Sequence, residues 1–156
     1  MIIDATALAG HPFLAGLPAS QLDVLAPLAR PESYNEGVRL FREDAPAAEF
    51  WLVRTGQVAL DIHLPGRGTV PLETIGTGGV VGWSWLFPPY RWHFGAIART
   101  PVETIRFDGA GVLAAMADDA IGKELAIRFM TVVVDRLQHT RLRLLDLYGT
   151  GPGSFS

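Results

Sequence analysis

A chain of 156 residues that is 49% hydrophobic and 19% charged, with 17 glycines and 11 prolines, reads as one turn-rich globular domain and not as a disordered segment. Its formal charge of -3 gives no overall basic footprint for nucleic acid, and the absence of cysteine excludes disulfides and thiolate chemistry. The first ten residues, MIIDATALAG, carry an acid and no basic leader, and no apolar run approaches the roughly 18 residues a membrane span needs. The expected protein is therefore cytoplasmic and has no membrane partner.

In HPFLAGLPASQLDVLAPLA, the helical spacing of Leu22, Leu25, Ala26 and Ala29 predicts a short amphipathic helix. Ser20 is its expected N-cap, Asp23 lies in its first turn, and Pro27 kinks it or ends it near Leu25. From Pro31 to Asp108 the pattern changes to short apolar or alternating runs, VRLF, EFWLV, VALDIHL, TVPLETI, GAIA and VETIRF, punctuated by Gly, Pro and Asp. Short strands at this spacing predict a sandwich or barrel, with LPGRGTV as a hairpin loop. GAGVLAAMADD predicts a short helix, and the proline-free run from Gly122 to Tyr148 a long one that GTGPGSFS stops. The expected plan is one domain over residues 1–149: a helical segment at 11–30, a β region at 31–108 and C-terminal helices at 109–149. A flexible tail follows at 150–156.

Within the long helix, Ala126, Met130, Val133, Leu137, Thr140, Leu144 and Leu147 alternate spacings of four and three, as in a coiled-coil seam. Met130, Val133, Leu137 and Leu144 are the candidates for a homodimer contact. A second stripe, Leu125, Phe129, Val132 and Arg136, is expected to pack on the β region. Arg136, Arg141 and Arg143, interspersed with Asp135 and Asp146, are expected to form a solvated face.

Three stretches carry a resemblance: HPFLAGLPASQLDVLAPLA; YNEGVRLFREDAPAAEFWLVRTGQVAL, with Gly37, Asp44, Phe50 and Gly56 at fitting spacing; and IGTGGVVGWSWLF. In this order they resemble the cyclic-nucleotide-binding domain of the catabolite-activator and protein-kinase regulatory-subunit type. The resemblance implies a mainly β fold with flanking helices: a β-roll, or double-stranded β-helix of jelly-roll type, plus a long C-terminal helix. It also places the start of a phosphate-binding cassette at Gly82, where the backbone opens a short helix toward the ligand.

The family's cassette has a glutamate next to that glycine for the ribose hydroxyl, and an arginine about ten residues on for the cyclic phosphate. Here the glutamate position is Trp83, and the arginine position is Trp92, or His93 in a loop one residue longer. Arg91 stands at least one residue early, and in an extended segment one residue turns a side chain to the opposite face. Each charged hydrogen bond lost costs about 1.5–3 kcal/mol, enough together to move micromolar binding toward millimolar. The ligand-binding candidates are Gly82, Trp83, Ser84, Arg91, Trp92, His93 and Phe94.

Three uses of the aromatic loop remain open at this point. Trp83, Trp85, Phe87, Tyr90, Trp92 and Phe94 are suited to stacking another planar acidic ligand held by Arg91 or His93. The same rings also suit plain packing around Pro88-Pro89, and, if exposed, a protein-docking anchor.

Catalysis has no motif behind it. His11, His63, His93 and His139 lie far apart with no metal-ligand spacing, and no nucleophile elbow, Walker loop or dinucleotide fingerprint occurs. The expected function is a non-enzymatic sensor or adaptor with lost or altered cyclic AMP or cyclic GMP binding, acting through protein contacts and a homodimer, with no metal and no nucleic acid. The alternatives are a genuine cyclic-nucleotide receptor using Arg91, and a ligand-free structural interaction protein. The resemblance further implies that ligand in the β-roll repositions the C-terminal helix.

Overall fold

A computed structural model describes residues 3–149, without the side chains of residues 140 and 143–149. The tail assigned to 150–156 lies outside the described residues. The chain begins with a helix that periodicity did not reveal, α1 (Ala5–Ala9), capped by the Asp4 carboxylate accepting from the Ala7 N–H at 2.9 Å. α2 (Ala19–Leu25) starts two residues earlier than expected. Its cap is Pro18, whose carbonyl accepts from Gln21 and Leu22, so Ser20 sits inside the first turn and caps nothing. A 3₁₀ turn, Ala26–Leu28, takes Pro27 in its own first positions, where a missing N–H costs least.

Eight strands follow: β1 (Ala29–Tyr34), β2 (Arg39–Phe41), β3 (Glu49–Thr55), β4 (Val58–Leu64), β5 (Gly68–Ile75), β6 (Val80–Val81), β7 (Gly95–Ala98) and β8 (Val102–Asp108). They form two antiparallel four-stranded sheets, ordered β1-β8-β3-β6 and β2-β7-β4-β5. The helices α3 (Gly109–Ala115) and α4 (Asp119–Gly149) close the chain. α4 begins three residues before the expected Gly122 because the Asp118 carboxylate accepts from the Ala120 and Ile121 N–H groups. The architecture is a β-roll with flanking helices and a long C-terminal helix.

β3 organises the core. Its run Phe50-Trp51-Leu52-Val53 is buried throughout, because the strand is covered on both faces. Phe50 stacks on Phe107 and Trp85 and meets Phe129 of α4 edge-on, while Trp51 turns to the other face, near Phe41 and Trp92. The Trp51 Nε1–H donates to the Tyr34 hydroxyl at 2.9 Å, satisfying its one polar group. α4 lays Leu125 and Phe129 against this cluster, and Arg128 donates from Nη1 to the Phe13 and Ala15 carbonyls, which ties the N-terminal segment to the last helix.

The N-terminal segment is also held by a buried imidazole. His11 accepts at Nδ1 from the Phe13 N–H, which leaves Nε2 to donate to the Val53 carbonyl at 3.0 Å. Burial lowers the pKa of His11 from 6.5, partly offset by the Val53 hydrogen bond and reinforced by nearby Arg54. Below pH 6.5 the unfolded chain takes up the proton more readily than the folded one. The stability His11 contributes is therefore present above that pH and is lost as pH falls through the lowered folded value. The melting temperature, followed from about pH 7.5 to about pH 5, is expected to fall, and His11→Gln to flatten that fall.

Candidate functional site

β6 ends at Val81, and Gly82 turns the chain with φ +98°. A side chain there would be strained, and its Cβ would stand 2.8 Å from Cη2 of Trp92, so the glycine is required both by conformation and by that close approach. Trp83 follows and leads into a 3₁₀ turn, Ser84–Leu86. The Ser84 hydroxyl is buried and has no hydrogen-bond partner among the described residues. Trp85, 1% exposed, stacks on Phe50, meets Phe129 edge-on, and donates from Nε1 to the Gly82 carbonyl at 3.2 Å. This ring clamps the turn to β3 and α4.

The loop then reaches solvent. Phe87, Pro88, Pro89, Tyr90 and Arg91 are exposed at its tip. It returns beside residues 44–47: Ala47 donates to the Tyr90 carbonyl at 2.7 Å, Trp92 to Ala45 at 3.0 Å and Asp44 to Trp92 at 2.8 Å. That pairing makes the segment extended, so side chains alternate. Arg91 and His93 point out, while Trp92 and Phe94 point in, 3% and 7% exposed. Arg91 donates from Nη1 to the Asp44 carbonyl at 2.6 Å and lines none of the described cavities. Trp92 stacks on Phe41 with ring centroids 3.9 Å apart.

The six aromatic rings therefore divide into three groups. Trp85 and Trp92 belong to the core, and Phe87 and Tyr90 to the exposed tip. Trp83 and Phe94, in edge-to-face contact at 5.3 Å, line a cavity of about 310 Å³ together with Leu60, Leu72, Val133 and Leu137. The polar groups on its wall are Glu73, Arg136 and His139. A larger cavity of about 550 Å³ lies toward Pro12 and Arg128 and shares Glu73, Arg136 and His139 with the first.

Arg136 corrects one of its two sequence readings and follows the other. It is not part of a solvated face but 8% exposed, as the last member of the Leu125, Phe129, Val132 stripe that packs on the β-roll. Its guanidinium lies over the Trp83 ring, 4.7 Å from the centroid, a cation–π contact worth about 0.5–2 kcal/mol. Nη2 donates to the Val80 carbonyl, Nε stands 3.8 Å from a Glu73 carboxylate oxygen, and Nη1 has no partner among the described residues. Desolvation lowers its pKa to about 10, partly offset by Glu73 and Asp135, so it stays a cation at neutral pH. Arg141 is exposed, and the Arg143 side chain lies outside the described residues.

On the dimer-seam candidates, Met130 and Leu137 are exposed, while Val133 is half-buried against the cavity and Leu144 lies outside the described side chains. The exposed apolar face of α4 carries Ile127, Met130, Val134 and Leu137, so Val134 takes the place assigned to Val133. Among the described residues no helix is long and apolar enough to cross a membrane, and no cluster of three metal-ligating side chains occurs.

Residues 31–119, which span the β-roll, the cassette and α3, match the cyclic nucleotide-binding domain. The chain belongs to the cyclic nucleotide-binding domain family. Among solved structures, this domain is similar to a Geobacter metallireducens protein named for cyclic nucleotide binding, with a TM-score of 0.78 and 26% identity over 87% of this chain and 99% of that one. It shares its fold with the Thermus thermophilus catabolite activator protein, at TM-score 0.70 and 22% identity over 88% of this chain and 63% of that one. It also shares it with the regulatory subunit of a cAMP-independent protein kinase A from Trypanosoma brucei, at TM-score 0.71 and 17% identity over 88% and 48%. No curated protein matches the chain.

The sequence expectation puts Trp83 at the glutamate position of this family's cassette and Trp92, or His93 in a loop one residue longer, at its arginine position; Trp83 lines the cavity, Trp92 is buried and His93 is exposed. Neither indole offers an acceptor to a ribose hydroxyl or a cation to a phosphate. Arg91, at least one residue from the expected arginine position, faces solvent.

Proposed function

We propose that this domain is a non-enzymatic cytoplasmic sensor or adaptor in which ordinary cyclic AMP and cyclic GMP binding has been lost or altered, and which signals through protein contacts. The observation that supports this reading is Trp92: the indole at the expected phosphate-pairing position stacks on Phe41 inside the core. An anionic cyclic phosphate brought to that place would be desolvated without a charged partner, which is the costly case. The likeness in fold to the regulatory subunit of a cAMP-independent kinase is consistent with a domain of this kind working without cyclic AMP. Isothermal calorimetry with cyclic AMP and cyclic GMP at up to millimolar concentration is expected to give no binding heat. A micromolar dissociation constant for either nucleotide would overturn the reading in favour of a working receptor, with Arg91 the first group to replace.

The output surface we assign is α4, through a homodimer along the face of Ile127, Met130, Val134 and Leu137. These residues recur at spacings of three, four and three, the repeat that lets two like helices interlock. Sedimentation is expected to show a dimer for the natural chain and a monomer for Met130→Glu. A natural chain that remains monomeric at high micromolar concentration would remove the dimer from the account.

A further inference from the structure

The β4–β5 hairpin departs from regular pairing where it meets the cavity of Trp83 and Phe94. Leu60 pairs with Glu73 and Asp61 with Pro71, so Leu72 is one residue too many on β5, a β-bulge on the edge strand of its sheet. In a regular strand two successive side chains face opposite sides. Here Leu72 and Glu73 both line the cavity of about 310 Å³, whose wall is otherwise apolar on the strand side at Leu60, on the helix side at Val133 and Leu137, and at the two rings. Bulges of this kind recur beside functional sites because they re-aim a side chain. The side chain re-aimed here is a carboxylate.

Glu73 has acceptor positions to spare. Its side chain is 26% exposed, and the cation paired with it among the described residues, Nε of Arg136, stands 3.8 Å away, beyond hydrogen-bond distance. Arg136 has little to offer a ligand itself, since Nη1 is buried and Nη2 donates to the Val80 carbonyl. His139, exposed and lining the same cavity, adds a second acceptor. Its Nδ1 lies 2.8 Å from the Asp135 carbonyl oxygen, which can only accept, so Nδ1 carries the proton and Nε2 of the neutral ring is a lone pair. An apolar cavity whose free polar positions are acceptors fits a ligand that brings the donor.

We infer that this cavity takes a compact, neutral aromatic hydrogen-bond donor, a phenol or arylamine whose O–H or N–H is accepted by Glu73. The inference rests on the altered-site reading and supplies its ligand class. The flat body of the ligand packs against Trp83, Phe94 and the aliphatic wall, and its donor reaches the carboxylate in a charge-assisted bond within an apolar surround. Neutrality follows from Arg136, whose charge beside Glu73 already opposes a second cation. About 310 Å³ sits at the lower end of small-ligand sites, which selects one or two rings. Because Val133 and Leu137 line the cavity and Leu137 also belongs to the exposed apolar face of α4, such a ligand would touch the helix assigned as the output surface.

The test titrates 1-naphthol calorimetrically into the intact protein at neutral pH, with 1-methoxynaphthalene as the same ring system without a donor and cyclic AMP alongside. The expected result is naphthol binding at least about tenfold tighter than the ether, the worth of one charge-assisted hydrogen bond. Glu73→Met is expected to weaken naphthol by that factor and to leave the ether where it was. Should Glu73→Met fail to fold, Leu72→Trp fills the cavity from the strand side with the carboxylate left in place, and is expected to abolish naphthol binding at an unchanged circular dichroism spectrum. Equal affinity for naphthol and ether, an ether that weakens in step with naphthol in Glu73→Met, or full naphthol affinity in either variant overturns the role of Glu73 or of this cavity. Absence of binding by naphthol and by cyclic AMP overturns the inference and leaves the altered-site reading standing. Micromolar cyclic AMP binding brings down the altered-site reading and the inference with it.

Discussion

Replacing Trp85 by alanine is expected to lower the free energy of unfolding by about 3–5 kcal/mol, near the upper end for a single core truncation. The ring is among the largest fully buried side chains, packed between Phe50 of β3 and Phe129 of α4, and its Nε1–H is committed to the Gly82 carbonyl. Alanine leaves a void where three elements meet and frees the turn that carries Trp83. Urea denaturation with an unchanged m-value measures the loss. Tyr90→Ala, at the exposed loop tip, is the matched control and is expected to change stability by no more than about 0.5 kcal/mol. A Trp85→Ala loss as small as the control's would mean that the cassette is not braced by the core in the way described.

The second large effect is a restoration that should fail. Trp92→Arg returns the residue type that the family's cassette uses for the phosphate, yet it is expected to destabilise the domain by about 3 kcal/mol or more and to create no cyclic AMP binding. The indole fills space against Phe41, near Trp51, and under the Gly82 backbone. A guanidinium put there loses that stack and brings a charge into an aromatic cluster. Chemical denaturation reads the first consequence and calorimetry the second. A stable Trp92→Arg protein that binds cyclic AMP would show that the loop still has the family's geometry and that only a side chain had been exchanged.

Much of this architecture is written in local pattern. The run FWLV of β3 reads as a strand covered on both sides because it does not alternate, and the glycines and prolines between the short runs mark their turns. Pro27 ends α2 where a residue without an N–H must. At the cassette, the alternation Arg91 out, Trp92 in, His93 out, Phe94 in follows from period-two geometry, so the exclusion of Arg91 is readable once the loop is taken as extended.

What stayed hidden depended on contacts distant in sequence. Ser20 has the right chemistry for a cap, but the Pro18 carbonyl had already started the helix. Whether Val133 or Val134 faces outward turns on the rotation of α4 against the β-roll, which a heptad pattern leaves undetermined. The aromatic loop reads as one group in sequence, yet Trp85 and Trp92 go to the core, Trp83 and Phe94 to the cavity, and Phe87 and Tyr90 to solvent.

Arg136 carries two readings in sequence, as the last member of the stripe Leu125, Phe129, Val132 and, from the surrounding charges, as part of a solvated face. The stripe prevails, and Arg136 is buried. Its Trp83 and Val80 contacts come from more than fifty residues away, out of reach of any local pattern.

The central claim is that Trp83 and Trp92 occupy the positions from which a cyclic nucleotide would otherwise be held. The chain has four tryptophans, so the indole N–H region of a two-dimensional nitrogen-15 NMR spectrum reports on them individually. Cyclic AMP titrated to millimolar concentration is expected to leave all four indole signals in place. Saturating shifts of the Trp83 and Trp92 signals at micromolar cyclic AMP would contradict the account, because those two rings would then be lining a nucleotide site that still functions.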